Sequence, residues 1–304
     1  MNEPIVRIDG FTKSYGDFTA VHDLSLAVPP GEIFGLLGPN GAGKTTTLEC
    51  LEGIRTPDAG TLRVAGIDPT RDGRALRAVL GVQLQSSGMP EMITPAEAMK
   101  LFCGYHGVAP RSDLLDRLGL GAKRNTPFHA LSTGQQRRLA LALAVAHDPR
   151  VLLLDEPTAG LDVQTRVELH SLLRERQAAG TTVILATHDM AEAETMSDRV
   201  AILLQGHCVA IGSPLELTAT GQRLTKVSVR TEQGLLLGNG HTFPAAACHG
   251  VHDDYAIYFS QDIGPTVGAI IAAIEQAHDT IIDLRVERPS LEDRFLELTG
   301  RATG

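Results

Sequence analysis

The apolar positions of this chain gather into short, continuous runs rather than a steady alternation. Ile33-Phe34-Gly35-Leu36-Leu37, Val151-Leu152-Leu153-Leu154 and Thr182-Val183-Ile184-Leu185-Ala186-Thr187 are runs of this kind. They predict strands of a sheet covered on both faces, as parallel sheets are. Further strands are expected at 4–9, 20–28 and Leu80–Gln85, with a hairpin of Val200–Gln205 and His207–Ile211 about Gly206. Helices are expected between them, at Thr45–Leu51, Arg71–Val79 and from Asp162 to about Ala178. A mostly helical stretch spans 94 to about 146, interrupted near 104–110 and 119–129. Thr94-Pro95-Ala96-Glu97 opens it with an N-cap threonine, proline at the first helical position and a glutamate three residues after the cap.

The pattern changes near Gly221. Strands are expected at 224–230, 255–260 and 281–287, with a helix between the last two. In that helix Val267, Ile270, Ile271 and Ile274 share one face. Pro289 and Ser290 lead into a final helix, Leu291–Leu298, closed by Gly300. The whole reads as α/β: a domain at 1–220 containing a helical subdomain at about 86–146, then a small α/β domain at 221–304.

Composition narrows the possibilities. At 304 residues there is room for two domains, and 43% hydrophobic with 21% charged residues matches a soluble globular chain. The net charge of −9 argues against a broad nucleic-acid surface, which needs clustered Lys and Arg. Cys50, Cys103, Cys208 and Cys248 form no CxxC pair, so a reducing compartment is expected. The N-terminus shows no signal-peptide pattern, and no apolar run approaches the ~18–20 residues that span a bilayer. Any membrane role then needs a second chain.

The chemistry begins after the first apolar run. Gly38-Pro39-Asn40-Gly41-Ala42-Gly43-Lys44-Thr45-Thr46 is a phosphate-binding loop between a strand and a helix. Its glycines permit positive φ, so backbone amides can surround a phosphate chain at the helix N-terminus. Lys44 is expected to reach the β- and γ-phosphates and the Thr45 hydroxyl to ligate Mg²⁺. Val151–Leu154 ends in Asp155-Glu156, at the strand end where ligands bind in open α/β sheets. Asp155 suits the Mg²⁺ role, and Glu156 can polarise an attacking water. His188 ends the 182–187 strand at the same sheet edge, within reach of a γ-phosphate. Ser132-Thr133-Gly134-Gln135 starts an Ala/Leu-rich helix with Ser132 as its cap. Tyr15 lies in a turn-like stretch, either stacking on a base or partly buried. His241, Cys248, His249 and His252, with Asp253 and Asp254, match no structural zinc spacing and read as a loop.

The phosphate loop, the Ser-Thr-Gly-Gln turn, the Asp-Glu pair and His188 stand in the order and approximate spacing of ATP-binding cassette (ABC) ATPases. The chain resembles that family over about residues 4–220, most strongly at 38–46, 131–138 and 151–162. The resemblance implies a P-loop NTPase core binding ATP and Mg²⁺. It implies a homodimer in which each phosphate loop faces the partner's Ser132, Gly134 and Gln135. Tyr15 then stacks on adenine, and Gly38, Pro39, Asn40, Gly41, Ala42, Gly43, Lys44, Thr45 and Thr46 hold the phosphates. Thr45, Asp155 and Gln85 surround the metal; Glu156, His188, Lys44 and Gln85 are the catalytic set. Asp162 joins the dimer interface. The family has Gly where this chain has Thr133, which bears on how closely the partner's ATP is approached.

Pro289 to Gly300 resembles the ending of ATPase subunits of bacterial drug exporters, such as the daunorubicin resistance branch. That implies a separate membrane permease and a place at the cytoplasmic face of the membrane. A rival expectation is a soluble ABC ATPase acting on nucleic acid or ribosomes. Against it, residues 221–304 carry 7 Lys+Arg and 11 Asp+Glu, a balance of −4.

Overall fold

The computed structural model describes residues 3–84, 88–219, 225–238, 242–287 and 290–302. The chain divides into two compact units, residues 1–213 and 214–304. The division falls before Pro214, ahead of the change in composition expected near 221, because the short helix starting at Pro214 belongs to the second unit.

The first unit opens with β1 (Val6–Tyr15) and β2 (Phe18–Val28), an antiparallel pair, and continues through β3 (Ile33–Leu37) into α1 (Lys44–Leu51). β4 (Ala59–Val64) returns to complete a three-stranded sheet, β2-β1-β4. Next come α2 (Gly73–Val79) and β5 (Leu80–Gln83), then the helical region of α3 (Pro95–Tyr105), α4 (Ser112–Arg117) and α5 (Thr133–Val145). β6 (Val151–Asp155), α6 (Val163–Ala178), β7 (Thr182–Thr187), α7 (Met190–Met196), β8 (Arg199–Leu204) and β9 (His207–Gly212) follow. Together they build a six-stranded sheet of order β5-β6-β7-β3-β8-β9, parallel except for β9.

The apolar runs form this sheet because each strand feeds two cores. Side chains alternate between faces along a strand. In β6, Leu152 and Leu154 join a core with Met99, Leu114 and Leu139 of the helical region, whereas Val151 and Leu153 pack with Phe11, Leu48 and Leu51. β7 divides likewise, Val183 and Leu185 to one side, Ile184 and Ala186 to the other. Each of these leucines is fully buried and contributes roughly 1.5–3 kcal/mol by leaving water. α3 starts at the expected cap: Thr94 accepts from the Glu97 amide while the Glu97 carboxylate accepts from Thr94 N–H at 2.9 Å.

The second unit holds α8 (Pro214–Ala219), β10 (Thr225–Thr231), β11 (Ala246–His252), β12 (Tyr255–Ser260), α9 (Ile263–Gln276), β13 (Ile281–Glu287) and α10 (Leu291–Ala302). Its antiparallel sheet has the order β11-β12-β10-β13. Ile270 and Ile274 are buried against Val227, Val229 and Tyr258, with Val267 packed beside them, so the apolar face of α9 serves the unit's own core. Two expectations are corrected. β11 runs through the stretch read as a loop, pairing with β12. α10 continues through Gly300 instead of closing there, at a cost of about 1 kcal/mol for a glycine inside a helix.

Candidate functional site

The site forms where β3, β6 and β7, neighbours in the central sheet, reach their C-terminal ends. After β3 the chain turns through Gly38, Gly41 and Gly43, with φ of 156°, 82° and 98°. A side chain at Gly38 would put its Cβ 2.3 Å from the Leu203 carbonyl oxygen, and one at Gly43 would lie 2.6 Å from that of Ala20. Only glycine fits either place. Gly43 caps α1 without any side-chain hydrogen bond, so the first-turn amides keep their capacity to bind an anion.

Lys44 is 5% exposed and folds back over the loop, its Nζ donating to the carbonyls of Gly38 at 2.6 Å and Pro39 at 3.1 Å. Burial lowers its pKa, while Glu156 and Asp155 oppose that shift. The next residue, Thr45, donates its hydroxyl to Asp155 Oδ2 at 2.8 Å. Asp155 is buried, and its other oxygen, Oδ1, has no hydrogen-bond partner. Burial raises the pKa of this carboxyl, with the Thr45 hydroxyl pulling the other way. A hydroxyl and an uncompensated buried carboxylate oxygen side by side are the hard donors a Mg²⁺ ion takes, and a cation there would offset the desolvation. The residues present fit that ion.

Glu156 follows with φ 51°, a left-handed backbone that costs a side-chain-bearing residue roughly 1–3 kcal/mol. Its N–H donates to Ala186 O on β7 at 2.9 Å, and its carbonyl accepts from Ala159 N and Arg137 Nη1. The Glu156 carboxylate accepts from His188 Nδ1 at 2.8 Å, and the same oxygen lies 3.9 Å from Lys44 Nζ. His188 remains 58% exposed on its side chain while Glu156 is buried. A buried carboxylate thus sits between a lysine and a solvent-facing imidazole, beside the candidate metal ligands.

Five expected residues therefore come together: Lys44, Thr45, Asp155, Glu156 and His188. Others stand apart. Tyr15 ends β1, 40% exposed, with the Arg55 guanidinium 5.2 Å and the Lys13 ammonium 5.6 Å from its ring centre. Ser132 caps α5 in a reciprocal box, its hydroxyl accepting from Gln135 N at 3.3 Å and its N–H donating to Gln135 Oε1 at 3.0 Å. Among the described residues no hydrogen bond or ion pair joins Ser132, Gly134 or Gln135 to residues 38–46 of the same chain. Asp162 caps α6 by accepting from Thr165 N–H and Oγ1, both at 2.8 Å, which lowers its pKa. Gln85 lies outside the described residues, and β5 ends at Gln83, short of the expected strand end. Glu192, a buried carboxylate on α7, lies outside the motifs of the sequence. No contiguous motif marks its role, because its partner Thr158 comes from 34 residues away.

The chain has counterparts among known proteins. Residues 21–159 match the ABC transporter family. The chain is 37% identical over 314 residues to the Nod factor export ATP-binding protein I of Paraburkholderia xenovorans (strain LB400), covering 99% of both. This chain belongs to the ABC transporter ATPase family. It is also 34% identical to a daunorubicin resistance ATP-binding protein of Streptomyces coeruleorubidus, covering 99% of this chain and 97% of that one. A solved ABC cassette, dimeric and bound to ADP and Pi after hydrolysis, matches with a TM-score of 0.62 at 27% identity, over 68% of this chain and 98% of its own. The nucleotide of this ABC protein is ATP, and its chemistry is ATP hydrolysis.

Proposed function

We propose that this chain is the ATP-hydrolysing subunit of an exporter whose membrane permease is a separate polypeptide. The observation that carries the enzymatic half is the convergence of Lys44, Thr45, Asp155, Glu156 and His188 within hydrogen-bonding or ion-pair distance. Export rests on relatives that are named for it and that match nearly end to end. A separate permease is needed because none of the described helices is long and apolar enough to cross a membrane. Such a subunit works at the cytoplasmic face of the membrane.

In this reading the glycine loop at 38–43 and the α1 amides hold the phosphates, and Lys44 leaves its loop carbonyls to meet the β- and γ-oxygens. Thr45 and Asp155, with Gln85, hold Mg²⁺, which supplies charge neutralisation at the phosphates. Glu156 orients the attacking water and takes its proton. His188, hydrogen-bonded to Glu156 and open to solvent, faces the γ-phosphate, and Tyr15 stacks on the base. Among the described residues, no hydrogen bond or ion pair joins Ser132, Gly134 or Gln135 to the phosphate loop of their own chain. They serve the nucleotide of a second copy, as the dimeric relative makes reasonable.

Glu156→Gln tests this assignment. Turnover is expected to fall by about 10²–10⁴-fold, the usual contribution of a general base, with ATP binding retained. Lys44→Ala is expected to lose nucleotide affinity together with activity. Residual ATPase within about twofold of wild type in Glu156→Gln would remove Glu156 from its role.

A further inference from the structure

Glu192 is a carboxylate with only 1% of its side chain exposed, and none of the roles above uses it. Burial at this depth is tolerated only when the charge is hydrogen-bonded, and the partners identify its purpose. Its Oε2 accepts from two hydroxyls at once, Thr158 Oγ1 at 2.9 Å and Thr187 Oγ1 at 3.0 Å, both buried. Thr158 stands two residues after Glu156, and Thr187 immediately precedes His188. Its Oε1 lies 3.4 Å from His170 Nε2 on α6, the helix that Asp162 caps. Glu156 and His188 are themselves joined at 2.8 Å.

These contacts close a circuit: Glu156 to His188 through side chains, His188 to Thr187 along the chain, Thr187 to Glu192 to Thr158 through hydroxyls, and Thr158 back to Glu156. Glu156 needs such bracing because its left-handed backbone persists only where neighbours hold it from both sides. The Ala186 carbonyl holds its N–H on one side, and Thr158 is the anchor on the other.

We infer that Glu192 is a positioning residue for ATP hydrolysis: by accepting hydrogen bonds from Thr158 and Thr187 it fixes the geometry of the Glu156–His188 pair. A leucine would fill the same space without burying a charge, so packing alone does not explain a glutamate there. The inference rests on Glu156 acting as the general base.

The test compares kcat, ATP affinity and melting temperature of the full chain with Mg²⁺ and ATP across Glu192→Leu, Glu192→Gln, Thr158→Val and Thr187→Val. Glu192→Leu is expected to lower kcat roughly 10- to 100-fold, the scale of a misplaced catalytic group. ATP affinity is expected to stay within about twofold, because the circuit contains no residue of the phosphate loop. Glu192→Gln keeps one acceptor oxygen and is expected to recover part of that loss. The two valine variants keep side-chain volume, and each is expected to lower kcat without a matching fall in affinity. Adding His188→Ala to Glu192→Leu is expected to cost less than the two losses combined, since both open the same circuit. Wild-type kcat in folded Glu192→Leu, or in both valine variants should Glu192→Leu not fold, would overturn the inference. So would kcat and affinity falling together in step with melting temperature. If Glu156→Gln itself kept turnover, the base assignment would fail instead; turnover lost there but kept in Glu192→Leu overturns the circuit alone.

Discussion

Glu52, just past α1, carries a carboxyl that burial, reinforced by Glu49 and Asp155, pushes up from 4.5 to about 7. Its Oε2 has no hydrogen-bond partner. In the unfolded chain this group ionises at its ordinary value, whereas the folded protein resists ionisation until about pH 7. Its contribution to stability is therefore whole in acid, declines as pH rises from 4.5 to about 7, and is lost above that. Glu52→Gln removes the ionisation, so thermal unfolding at pH 8 should shift upward by the equivalent of about 2–3 kcal/mol, with little change at pH 4.5. An equal shift at both pH values would mean that the carboxyl is not held neutral by the fold. Residues of this scale divide sharply in how far the sequence reveals them. Lys44, Thr45, Asp155 and Glu156 were legible because each motif is contiguous and its chemistry dictates the spacing. Glu192 was not, because its meaning lies in hydroxyls that folding brings from 34 and 5 residues away.

At the scale of elements, α5 starts from a capped turn at Ser132, and among the described residues no hydrogen bond joins that turn to the phosphate loop of its own chain. If it serves the partner's ATP, Lys44→Ala and Ser132→Arg damage opposite halves of a composite site. Mixed dimers then contain one doubly damaged site and one intact site. ATPase appearing only on mixing is the expected outcome; verified mixed dimers that stay inactive would contradict it. β3, β6 and β7 were legible because burial on both faces forces continuous apolar runs. β11 was not, for two reasons. Ala246–His252 is poor in the branched and aromatic residues that mark strands, and it lies at a sheet edge, paired with β12 with a register shift between Cys248 and Gly250. The far end of α10 was not legible because Gly300 reads as a terminator, which one glycine within a helix need not be.

On the scale of the whole molecule, the second unit has its own sheet and core, and it contains none of the residues that gather around Lys44. We propose that this unit serves assembly. Its α9 face is spent internally, and Phe295 and Leu298 of α10 are half-buried. A chain ending at Ser213 should bind ATP nearly normally yet dimerise or reach membranes less well, as sedimentation and membrane co-fractionation would record. Normal assembly of that shorter chain would count against the role. The central claim, an ATPase working through a separate permease, is tested most directly by tagging the full chain in its native cell and purifying it from solubilised membranes. One membrane-spanning polypeptide should co-purify in fixed ratio, and ATPase activity should change when the two are recombined in lipid. Recovery of the chain with ribosomes or nucleic acid, and with no membrane-spanning partner, would contradict it.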